Sequence, residues 1–338
     1  MIDTRSQGSC IPPLWTQELL TLYRGRIASQ FVLHFNITDL IVNLDSEKPS
    51  PDDKDLLIPY GNVVGSPVQF REYLHTFLRT ELMCQSIYTY SLAQGLVVDE
   101  YQPEGPARQR SSDSGWQRAS DAWRTINQSQ NRGFAANSQQ QSGPQRTSEY
   151  LKILGHLLRQ SYPSAQSAGA RSAEKTAPIA VILDYAEKLI PYRLGDGQGD
   201  SDQQQALEMV QRWGLDTKFR FETDNIVIIL TSNIGQIASS VYAGGSGCRA
   251  IRIHLPGAEE RKAFIRWRLD NEQFPAIDLF GADVEKQLNI ITRETQGMRL
   301  SDIDNLSRRV MQQCRDRNDR EVMQPSDVQH EKSVVIQA

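Results

Sequence analysis

The 338-residue chain has no apolar run approaching the roughly 20 residues needed to span a bilayer. Its start, with Asp3, Arg5 and Gln7, also lacks the apolar stretch of a secretory leader. Both absences predict a soluble, cytoplasmic protein with no membrane partner. Cysteine is scarce. Cys10, Cys84, Cys248 and Cys314 are scattered without a C-x-x-C pair, which removes the grounds for a zinc ribbon or a disulfide framework and fits a reducing compartment. The five histidines, His34, His75, His156, His254 and His330, form no H-E-x-x-H and no close ligand spacing, so they offer no metal centre. A G-x-S-x-G elbow is missing, and with it the sign of a Ser-His-Asp hydrolase. Neither sign of charge is in large excess: the formal net charge of −4 supplies no global field toward nucleic acid or anionic lipid.

The chain does have enough apolar material for a core, 39% of residues, beside 23% charged ones. Leu19, Leu20 and Tyr23 share one face of a helix expected over Leu14 to Arg26, and Gln30 to Val42 is β-rich. Phe70, Tyr73, Leu74, Phe77 and Leu78 predict an amphipathic helix within Pro67 to Leu82, followed by two apolar runs split by Gly95. From Tyr101 to Thr147 the chain turns to Gln, Ser, Gly and Arg, a composition that predicts a disordered insertion. Its arginines, Arg108, Arg110, Arg118, Arg124, Arg132 and Arg146, with Trp116 and Trp123 between them, suggest a second reading as a grip on single-stranded nucleic acid.

After a helix over Glu149 to Gln160, two continuous apolar runs follow, Pro178 to Tyr185 and Asn225 to Thr231, joined by a helix around Gln203 to Trp213. Strands buried on both faces and joined by helical crossovers imply a parallel α/β sheet, which a shorter strand over Ala250 to Leu255 extends. Beyond Pro256 only helices are expected, at Ala258 to Leu269, Asp283 to Arg293 and Leu300 to Cys314. The predicted division is therefore 1–100 and 148–255 as two halves of an α/β core, 101–147 as the insertion, 256–325 as a helical subdomain and 326–338 as a tail or the start of a further module.

The chemistry is concentrated in the second half. IAVILDYAE, from Ile179 to Glu187, places Asp184 at the carboxyl end of a buried strand, where open α/β sheets bind ligands. A strand-end aspartate that merely caps the next helix is the plainer reading of that residue alone. One crossover later NIVIILTSN ends in Thr231, Ser232 and Asn233, polar groups on the next strand. Cys248 and Arg249 then precede AIRIHLP, Glu259, Glu260 and Arg261 open a helix, and ITRETQGMRLSDIDNL runs from Ile291 to Leu306.

In this order the segments from Pro178 to Val310 resemble the AAA+ family of P-loop NTPases: Walker B, first sensor, finger arginine, and a second sensor around Thr295, Gly297, Asp302 and Ile303. The resemblance implies ATP and Mg²⁺ as cofactors, with Asp184 as the metal carboxylate and Asp184, Asn233 and Arg299 around the nucleotide. It implies catalytic parts for Asp184, Glu187, Asn233 and Arg249. Two departures stand out. Tyr185 follows Asp184 where a catalytic glutamate is common, and a phenol titrating near 10 is no base at neutral pH. No G-x-x-x-x-G-K-[ST] exists: Gly169 to Thr176, GARSAEKT, carries Glu174 and precedes the Walker B strand, while HFNITD, from His34 to Asp39, has neither glycine nor lysine.

The expected fold is thus α/β, a three-layer parallel-sheet AAA+ core from about residue 12 to 255 with a C-terminal all-α lid. The expected function is that of a degenerate module resembling the inactive first module of tandem AAA+ proteins. Such a module is a structural or regulatory subunit of an ATP-dependent remodelling assembly, with other AAA+ modules and a protein substrate as partners. Two alternatives stay open: an active ATPase with an atypical phosphate-binding loop, using Asp184 and Glu187, and a DNA-associated clamp-loader-like scaffold using the arginine-rich insertion. The closing SDVQHEKSVVIQA ends on an apolar stretch and suggests a fragment of a longer protein.

Overall fold

The computed structural model describes residues 10–45, 66–100, 114–130, 144–160, 162–163, 176–192, 201–271, 276–277, 284–316, 322–323, 329–330 and 332. The chain divides into two units, one of Glu18–Ile37 with Leu74–Ile253, the other of Met1–Gln17, Thr38–Tyr73 and His254–Ala338.

The first unit is built on a six-stranded sheet of β1 (Gln30–Phe35), β2 (Ser86–Ser91), β3 (Gly95–Glu100), β4 (Ile179–Leu183), β5 (Ile226–Thr231) and β6 (Cys248–Ile253). The strands lie in the order β6-β1-β5-β4-β2-β3, all parallel except β3. Every residue of β4 and β5 is buried, as their unbroken apolar sequences require of central strands. Because side chains alternate across a strand, Val181, Leu183, Val227 and Ile229 enter one apolar layer, and Ala180, Ile182, Ile226 and Ile228 face the other way. The first layer is completed by α4 (Thr147–Leu158) and α6 (Ser201–Leu215), through Leu151, Leu154, Val210 and Trp213. Each such aliphatic side chain contributes about 1.5–3 kcal/mol by leaving water. Edge strand β3 was missed as an antiparallel partner; Gly95, at φ +69, closes the turn from Ser91 by taking the left-handed conformation.

The stretch read as disordered is partly helical. α3 spans Ser114–Gln130, with Ala119 and Ala122 buried and Trp123 and Ile126 packed against the same core. Composition concealed it because the buried stripe is made of small residues: a Cβ on Gly115 would overlap the carboxylate of Glu100, so the helix lies close to β3. Arg118 is engaged within the fold, donating to Glu100 at 3.2 Å, to the Tyr88 hydroxyl at 3.3 Å and to Ser86. Residues 101–113 and 131–143, the rest of the expected insertion, lie outside the described residues. The β-rich run from Gln30 is also shorter than expected, because Phe35, at φ +84, turns the chain out of the sheet.

The second unit contains α7 (Ala258–Asp270), α8 (Val284–Glu294) and α9 (Leu300–Asp316). Leu300, Ile303, Leu306 and Val310 recur at helical spacing along α9 and close a core with Phe264, Ile265, Leu288 and Ile291. The helices expected after the sheet are present, and residues from earlier in the chain pack with them in this unit. Val42 is buried in its core, Leu40–Ile41 pairs with Val68–Gln69, and Trp15 meets Phe70 and Tyr73 edge-on or tilted. Leu40, Val42 and Leu44 thus pack with these helices. Among the described residues no helix is long and apolar enough to cross a membrane.

Two predictions follow from this packing. Gly247, at φ +68, lies against Gly214, and a Cβ there would overlap the Gly214 carbonyl oxygen, whereas Gly244 faces open space. Gly247→Ala is expected to lower stability in urea by more than about 1 kcal/mol, and Gly244→Ala to stay within about 0.5 kcal/mol. Burial also pushes the Cys84 and Cys248 thiols from 9.0 up to about 12. Their neutral forms are favoured in the fold, so this contribution is intact below pH 9.0 and is lost as pH rises toward about 12. Chemical denaturation between pH 8 and 11 should show stability falling, and less steeply in a Cys84→Ala, Cys248→Ala variant.

Candidate functional site

In a parallel sheet the carboxyl ends of the strands share one edge, where crossover connections leave a crevice for ligands. The register here sets Leu183 beside Ile229 and Tyr90, Thr231 beside His34, and Ile253 beside Phe35. Asp184 and Asn233, which follow the neighbouring strands β4 and β5, thus leave the sheet at the same edge.

Asp184 is 8% exposed; its N–H donates to the Tyr90 carbonyl at 2.9 Å and its Oδ1 accepts from the Tyr185 N–H at 3.0 Å. Tyr185, half-exposed at φ +53, leads into α5 (Ala186–Leu189), a single turn. Glu187 lies in that turn, and its buried Oε2 has no hydrogen-bond partner among the described residues. Asn233 is exposed and caps the next turn, its Oδ1 accepting from the Gly235 N–H at 2.9 Å. Thr231 donates to the Asn233 carbonyl at 3.1 Å. The fold thus brings Asp184, Glu187 and Asn233 to one edge, and Asp184 and Asn233 also close their local turns there.

Arg249 stands elsewhere. It is the second residue of β6, beside Phe31, and Ile253 ends the strand beside Phe35. At about 3.3 Å per residue, Arg249 is about 13 Å from the ligand-binding edge of its own sheet. The side chain is exposed, donates to the Cys248 carbonyl at 3.3 Å and has no ion pair among the described residues. Arg252, two pleats nearer the edge, lies over the Phe35 ring at 4.3 Å. Arg299 belongs to the other unit; it is exposed and its Nη1 donates to the Thr38 Oγ1 at 3.4 Å.

The segment following β1 was singled out for what it lacks, and the structure adds what it holds. Asp39 is fully buried, and its carboxylate accepts from the N–H groups of Leu40 at 2.8 Å, Leu300 at 3.0 Å and Ser301 at 2.8 Å. No local pattern could have revealed this, since two of the donors lie 261 and 262 residues further along. A phosphate cradle needs a glycine loop that opens directly into a helix, with backbone N–H groups free to meet the anion. Here the chain passes from β1 to the Leu40–Ile41 pair, the next helix among the described residues is α2 (Phe70–Thr80), and a carboxylate stands in the segment. These residues do not fit the triphosphate of ATP. Nor do the described residues contain a group of three or more His, Cys, Asp or Glu side chains able to hold a metal ion.

This mostly parallel sheet flanked by helices, with further helices after it, is a Rossmann-like AAA+ core with C-terminal helices. Over residues 6–254 the chain matches the family described as AAA+ chaperone, N-terminal Rossmann-like domain, and it belongs to that family. The matched stretch ends where the chain leaves the sheet unit, between Ile253 and His254. Among solved structures, a chain of the E. coli MS115-1 HORMA:CdnC:Trip13 complex is similar at 15% identity and a TM-score of 0.35. The similarity covers 58% of this chain and 60% of that one, so the present chain spans about three fifths of that protein's length. No match was found among curated proteins. Nothing in these comparisons supports a nucleic-acid partner, and Arg118 and Arg124 are paired with Glu100 and Asp121.

The contrast between two arginines is open to measurement. Arg118→Ala removes the ion pair with Glu100 and the bonds to Tyr88 and Ser86, and is expected to cost about 1–3 kcal/mol in denaturant unfolding. Arg249→Ala removes an exposed side chain and should change stability by no more than about 0.5 kcal/mol.

Proposed function

We propose that this chain is a degenerate AAA+ module, a structural or regulatory subunit of an ATP-dependent protein-remodelling assembly that binds little ATP itself. The observation that carries this reading is the buried carboxylate of Asp39 in the segment after β1, where a phosphate-binding module presents free backbone N–H groups. A triphosphate approaching that segment would lose its hydration without gaining donors, beside a charge of its own sign.

What such a subunit contributes is a cation in trans. Arg249 is exposed and too far from its own ligand-binding edge to serve there. On this reading its planar guanidinium, held by β6, reaches the ATP of a neighbouring AAA+ module and donates to the oxygens that gain charge in the transition state. Asp184, Glu187 and Asn233 are remnants of a catalytic edge, and two of them also hold local backbone, Asp184 at the Tyr185 N–H and Asn233 at the Gly235 N–H.

Titration calorimetry of the purified chain with ATP·Mg²⁺ is expected to show no saturable binding below about 1 mM. Micromolar binding would instead favour the active ATPase, with Asp184 and Glu187 as its acidic pair. In an assembly with an active AAA+ partner, Arg249→Ala should reduce the partner's ATPase rate by up to about 10³-fold while the subunits remain assembled. An unchanged rate in the intact assembly removes the finger role.

A further inference from the structure

We infer that Asp39 is a built-in anion that holds the lid helix α9 in place, so that this helix needs no nucleotide to be held. The inference rests on the reading of the chain as a module without a phosphate cradle and says what replaced it. A helix N-terminus leaves its first N–H groups unpaired and carries a partial positive charge. At α9 the residue before the helix is Arg299, whose side chain has no acceptor to offer. Asp302 reaches back to the Arg299 N–H at 3.2 Å, and the next two N–H groups are those of Leu300 and Ser301. Both donate to Asp39, one to each carboxylate oxygen.

Asp39 is itself held firmly. Its carbonyl accepts from the Phe70 N–H at 3.0 Å, at the start of α2, and its Oδ1 also accepts from the Leu40 N–H. The next residues, Leu40 and Val42, pack in the core that contains Leu300, Ile303 and Val310. Arg299 adds its bond to Thr38, one residue before Asp39. A carboxylate removed from water is tolerated where charge-assisted donors converge on it, and at α9 they come from the helix it holds. The tie between residues 38–42 and the start of α9 is therefore complete within the protein. The anion that satisfies this helix is a side chain, and it cannot be hydrolysed or released.

Hydrogen exchange of the full chain, read on peptides spanning Met298 to Asp304, tests this with and without ATP·Mg²⁺. Wild-type exchange there should be the same in both conditions. In Asp39→Ala it should be at least about tenfold faster, and in Asp39→Asn intermediate, while peptides from β4 and β5 keep wild-type protection. If Asp39→Ala does not fold, the Asp39→Asn comparison decides, since it removes the charge with little change in size. Wild-type rates in the variants, or slower wild-type exchange on adding ATP·Mg²⁺, overturn the inference. The two readings fail separately: calorimetric binding of ATP·Mg²⁺ with α9 indifferent to it sinks the degenerate module alone, whereas no binding with unaltered variants sinks the Asp39 tie alone.

Discussion

Burial of β4 and β5 on both faces is the constraint from which the architecture descends. Strands buried on both faces suit central places in a parallel sheet whose connections cover it. The parallel strands bring their carboxyl ends to one edge. Asp184 and Asn233 leave the sheet there, just beyond the ends of two apolar strands. The same geometry separates Arg249 from them, because the second residue of a six-residue strand stands near its opposite end.

The segment after β1 owes its order to a contact made within the protein. An exposed loop stripped of glycine and lysine would leave α9 with unpaired N–H groups. Asp39 meets that need from within the chain and brings with it the short pairing of residues 40–41 and the burial of Val42. One carboxylate therefore supplies the negative charge that these N–H groups meet.

Much of the fold was legible because its signals are local. The apolar runs of β4 and β5, the helical spacing of Leu300, Ile303, Leu306 and Val310, and the turn at Gly95 each depend on neighbours within a few residues. Helix α3 was not legible, because Gly115, Ala119 and Ala122 carry too little apolar surface to register in composition, although they pack where only small residues fit. Among the candidate site residues, Asp184, Glu187 and Asn233 could be placed at one edge from strand order alone, whereas the roles of Arg118 and Asp39 depended on partners remote in sequence.

The sequence by itself determined the parallel α/β core, the helices that follow it, the family, and the absence of a glycine and lysine cradle. These rest on periodicity, hydrophobicity and motif order, properties that a chain carries before it folds. Only the tertiary structure decided that Leu40 and Val42 pack with the C-terminal helices, that Arg118 is an internal cation while Arg249 is exposed, and that Asp39 holds the start of α9. Hydrogen bonds and ion pairs join groups by distance in space, and a separation of 262 residues along the chain carries no local trace of the bond that closes it.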